Sequence, residues 1–122
     1  MTDRETLLSL ARRCERATGP DRPISWDVWE AVGKPVIDDW SRNGTAPAYT
    51  DSLDQAMTLV PEGWEPIIDC RRTVEVQLET IAVDPETLDP RKVYATAATP
   101  ALALCAAALR ARATLDPTGE KA

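Results

Sequence analysis

The chain has 122 residues, 43% of them apolar and 28% charged, with a net charge of −6 and neither histidine nor phenylalanine. A chain of this length forms one domain around one core, here of Leu, Val, Ile and Ala, and its acidic balance repels the phosphate backbone, which disfavours general nucleic-acid binding. The lack of histidine removes the usual imidazole base, every Ser-His or Cys-His dyad and the commonest transition-metal ligand.

In chain order, residues 2–17 read as a helix. Thr2 and Glu5 have capping-box spacing, and Leu7, Leu10, Ala11, Cys14 and Ala17 recur every three or four residues. Gly19-Pro20 stops it. A short helix is expected over 25–32, capped by Ser25, with Trp26, Trp29 and Val32 on one face and Gly33 and Pro35 at its exit. Residues 35–48 read as irregular, and the next helix, over 52–60, is entered through Asp51 or Ser52 and ended by Pro61 and Gly63.

The period then changes from helical to two. In "TVEVQLETIAV", Val74, Val76 and Leu78 alternate with Glu75, Gln77 and Glu79, the pattern of a strand with one wet face. "PIIDC" and "KVYAT" are shorter strand candidates, and "DPETLDP" at 84–90 is a turn-rich connection. In "TPALALCAAALRAR", at 99–112, Thr99 is a cap, Pro100 takes the first helical position, and Arg110 and Arg112 suit the C-terminal dipole. This helix is apolar on most sides and too short to span a bilayer, so it reads as a wall of the core that Ala lets lie close to its neighbours. The expected class is α+β, with about four helices and a small, mostly antiparallel sheet of three to four strands. Residues 1–113 form the domain and 114–122 a frayed tail.

Three blocks, "CERATGP" at 14–20, "AYTDSLDQAMTLVPEGW" at 48–64 and "ATPALALCAAALRARA" at 98–113, resemble in sequence and order the phage ABA sandwich domain family of small phage and prophage proteins. The resemblance implies a three-layer α/β/α sandwich and a phage or prophage setting, but no activity or catalytic motif. Two features depart from the family: the last helix is entered through "VYATAATP" rather than a Gly-rich lead, and "DCRRTVEVQLETIAVDPETLDPRK" matches nothing in it.

Cys14, Cys70 and Cys105 are odd in number and far apart, which reads as reduced thiols. Charges scattered through residues 1–19 leave no signal-peptide core, so the expected location is the cytoplasm. Asp38-Asp39 and Asp51 with Asp54 lack calcium-loop spacing, and no metal or cofactor is expected. Arg71 or Arg72, with Arg91, is a candidate clamp for a phosphate, and Trp64 and Tyr94 are the rings expected beside any planar ligand. Pairing of these arginines with strand glutamates is the plainer reading. No activating base or oxyanion device is visible. The leading expectation is therefore a non-enzymatic accessory protein, an interaction or assembly module that binds a phage or host protein or a second copy of itself. The alternative is a binder of a small anionic ligand such as a nucleotide signal. No membrane partner is expected.

Overall fold

The computed structural model describes residues 4–61, 63–70, 74–80 and 92–115. Among these, five helices, α1 (Arg4–Arg16), α2 (Arg22–Ala31), α3 (Asp39–Arg42), α4 (Leu53–Met57) and α5 (Pro100–Leu115), accompany three strands, β1 (Trp64–Asp69), β2 (Val74–Thr80) and β3 (Lys92–Ala97). The protein is thus a small α+β fold, an antiparallel sheet packed against helices. None of the described helices is long and apolar enough to cross a membrane.

α2, α3, α4 and α5 each start where a side chain takes an orphan amide. Ser52 accepts from the Gln55 N–H at the head of α4, and Thr99 accepts from the Leu102 N–H at the head of α5. The expected start of α2 shifts: Asp21, not Ser25, is its cap, accepting from the Ile24 N–H at 3.0 Å, with Pro23 in the first turn where its missing donor costs nothing. Ser25 is instead buried inside α2. Its hydroxyl lies 2.9 Å from that of Thr50, whose own oxygen accepts from the Asp21 N–H at 2.8 Å and donates to the Asp21 carbonyl at 3.0 Å. Residues 35–48, expected to be irregular, contain the single turn α3, closed by a reciprocal cap between Asp38 and Ser41.

α5 is the centre of the molecule. Every residue from Ala101 to Leu109, with Ala111 and Ala113, is buried. It packs most extensively against α1, then against β3, β2 and α4. A helix closed in on all sides has no use for a polar face, and its six alanines between 101 and 111 keep it thin enough to be surrounded. The core reading of this stretch is what the structure shows, and the helix runs to Leu115, past the expected start of the tail.

The strand order is β1-β2-β3, antiparallel throughout. Val76, Leu78 and Ala95 are buried toward the helices, while the alternate residues turn away from them. No described helix covers that second face. The physical reason lies in the residues themselves: Glu65, Glu75 and Glu79 all point outward, and a helix laid over them would desolvate three carboxylates.

The two sheet edges are treated differently. At β3, the Arg110 guanidinium donates to the Tyr94 carbonyl at 3.0 Å and to both carboxylate oxygens of Glu15 at 2.6 and 2.5 Å. The Thr96 backbone N–H also helps to hold the Glu15 carboxylate in its charged form. The Arg110 guanidinium thereby takes an acceptor that a fourth strand would otherwise pair. Since Tyr94 and Thr96 face outward, Leu78 points its backbone at β3, and its β1 neighbour Pro66 turns its donorless nitrogen out to the other edge, where proline is tolerated.

Arg110 holds the Glu15 carboxyl below the usual carboxylate range, chiefly through its hydrogen bonds, and both side chains are about three-quarters buried. A depressed folded pKa gives stability that is present above the unfolded value of about 4.3 and is lost as pH falls through the folded value. Arg110→Ala should therefore lower the unfolding free energy by about 2 kcal/mol at pH 7. In urea titrations the gap between variant and wild type should shrink by half or more at pH 3.

Candidate functional site

The uncovered sheet face is the most organised surface of the described chain. The register sets nine residues in three rows across the strands: Glu65, Glu79 and Lys92; Ile67, Gln77 and Tyr94; and Asp69, Glu75 and Thr96. The outer rows hold four carboxylates, Glu65, Asp69, Glu75 and Glu79, against one ammonium, Lys92. The middle row is different in kind. Ile67 is 49% and Tyr94 50% exposed, and Gln77 between them donates from its amide to the Glu79 carboxylate at 3.1 Å. An apolar and aromatic bar thus crosses an acidic field.

β1 stands apart from the helix layer, since α5 packs on β2 and β3. Its consecutive residues Ile67 and Ile68 point to opposite faces of the sheet, yet both are exposed, Ile68 by 37%. The outward-facing carbonyl of Pro66 and both backbone polar groups of Ile68 have no hydrogen-bond partner among the described residues.

Of the five residues singled out in the sequence, three lie outside the described residues: Arg71, Arg72 and Arg91. The two rings are not brought together. Trp64 is 6% exposed and turned into the core, whereas Tyr94 is on the uncovered face, so no single pocket holds both. The reason is register: Trp64 pairs with residue 80 and Tyr94 with Gln77, and even and odd positions of β2 face opposite ways. Ile67 and Gln77 carry no warning in the sequence as single residues. They become visible only when the alternation of 74–79 is aligned with both neighbours.

A concavity of about 310 Å³ elsewhere on the described chain is lined by Asp38, Asp39, Trp40, Ala48, Ser52 and Gln55. Its charged and hydroxyl side chains already have partners. Asp38 caps α3, Asp39 pairs with Arg42 at 2.8 Å, Ser52 caps α4, and the Arg22 guanidinium lies 5.2 Å from the Trp40 ring centre. Among the described residues no group of His, Cys, Asp or Glu is placed to hold a metal ion.

The buried groups with shifted titration are poor nucleophiles. Burial pushes the Tyr49 phenol up to about 12. The Cys105 thiol donates to the Tyr49 carbonyl at 3.2 Å, and its neighbour Cys14 together with burial raises its pKa well above the usual thiol range. Both sit in the core as packing groups.

Comparison with protein-family models, curated proteins and solved structures finds no match to this chain in any of the three.

Proposed function

We propose that this chain is a non-enzymatic accessory protein of a phage or prophage, at work in the host cytoplasm as a protein-interaction module, with the uncovered sheet face as its docking surface. The observation that carries the reading is the Ile67-Gln77-Tyr94 bar between two rows that hold four carboxylates. Aromatic and branched side chains at the centre of a patch, with charge at its rim, are the ordinary anatomy of an interface. The acidic rim selects the partner: a basic protein surface with an apolar centre fits, while nucleic acid and a second copy of the same face are repelled. The three sequence blocks that resemble the phage ABA sandwich family supply the setting. Among the described residues no observation favours the small-anion alternative, because the face carries the wrong charge and the expected rings are on opposite sides of the sheet.

A peptide-display selection against the purified protein tests this. The selected peptides are expected to be net basic, with Val, Ile or Leu among Lys and Arg, and their affinity should fall at least tenfold on Glu75→Lys with Glu79→Lys or on Tyr94→Asp. Selection of neutral or acidic sequences, or binding indifferent to these changes, would overturn the reading.

A further inference from the structure

The face alone is small. Three strands about 4.8 Å apart and six residues long span roughly 300 Å², well under the roughly 800 Å² per partner that a stable interface buries. A partner must therefore extend past an edge of the sheet. The β3 edge is partly blocked, because the Arg110 guanidinium, held by Glu15, already occupies the Tyr94 carbonyl. The β1 edge is open, with the Pro66 carbonyl and both Ile68 groups unpartnered among the described residues, and Ile67 and Ile68 are exposed on its two faces.

We propose that the partner adds an extended basic segment to the β1 edge as a fourth strand, with Lys or Arg on the outer face and Val, Ile or Leu on the inner one. This rests on the reading of the face as a docking surface and names how the partner enters it. In such a strand alternate side chains take opposite faces. One set then lies beside Glu65 and Asp69, and the other beside Pro66 and Ile68. The same strand covers Ile67 from one side and Ile68 from the other, which no docking onto the outer face alone achieves. Pro66 offers an acceptor without a donor, so pairing is anchored at Ile68, where donor and acceptor are both free. A second copy is a poor occupant: edge-to-edge pairing of two β1 strands would set one acidic face beside another.

The probe is a capped ten-residue peptide alternating lysine and valine, compared with a peptide of the same composition in two blocks, five lysines then five valines. Binding is followed by fluorescence anisotropy, and amide hydrogen exchange is measured on the wild-type protein. The alternating peptide is expected to bind at least tenfold more tightly than the block peptide and to slow exchange of the Ile68 amide at least tenfold. Ile68→Pro, which removes the outward-facing N–H together with the Ile68 side chain, should abolish this preference, whereas Ile68→Ala, which keeps the N–H, should retain at least part of it. Equal binding of the two peptides, with Ile68 exchange unchanged and with affinity still lost on Glu75→Lys and Glu79→Lys, would overturn strand addition and leave face docking standing. Binding that ignores the charge reversal, or no binding at all, would overturn both.

Discussion

Replacing Ala107 with leucine is expected to lower the unfolding free energy by about 3 kcal/mol, a drop in melting temperature of roughly 10 °C or more. α5 is enclosed by α1, α4 and the sheet, and Ala107 itself is fully buried, so three added carbons have no solvent side to turn to. Either the helix moves away from a neighbour and opens gaps around Leu102, Leu104 and Leu109, or the new side chain takes a strained rotamer. The same change at Arg112, which is only partly buried, should cost far less packing and mainly release the bond from its guanidinium to the Leu59 carbonyl at 2.8 Å. Urea unfolding of the two variants side by side checks this. Equal losses would mean that α5 has more room than its burial implies.

The Thr50→Val variant should lose about 3 kcal/mol although its volume hardly changes. The Thr50 hydroxyl accepts from the Asp21 N–H and from Ser25 and donates to the Asp21 carbonyl, so it fills every position it has. Valine leaves the Asp21 N–H without its acceptor and takes one of two bonds from both the Asp21 carbonyl and the Ser25 hydroxyl, which keep the Ser25 and Thr50 N–H groups, and an unmet buried polar group costs about 1–3 kcal/mol. Thr50→Ser keeps the hydroxyl and should lose about 1 kcal/mol, from the missing methyl alone. A Val variant as stable as the Ser variant would show that the triad of Asp21, Ser25 and Thr50 adds nothing to stability.

What could be read from the sequence follows from the range of the interaction responsible. The Thr99-Pro100 entry, the Ala-rich core helix and the alternation of 74–79 are local signals, and each is found in place. The start of α2 lies at Asp21 and not at Ser25, which looks like a cap only within its own neighbourhood. Its true partner, Thr50, is 25 residues away. The turn α3 is too short for any period to announce it. The candidate site fared similarly. Tyr94 reads in the sequence as a ring near a ligand, but its companions are Ile67 and Gln77, which the strand register supplies, and not Trp64, which the same register sends to the other face. The expected arginine clamp of Arg71, Arg72 and Arg91 falls outside the described residues.

The place of α5 in the chain dictates when the protein can fold. It is the last of the described elements to be synthesised, yet it is the partner against which α1 packs most, and Glu15 must wait for Arg110, 95 residues later, to form the ion pair at the β3 edge. Until that point Leu7, Leu10, Val28 and Leu78 have no common surface to bury them, and the growing chain must hold them open on the ribosome. Folding is thus a late event that awaits the synthesis of α5, and any fragment released before residue 100 is a substrate for chaperones and proteases rather than a smaller version of the fold.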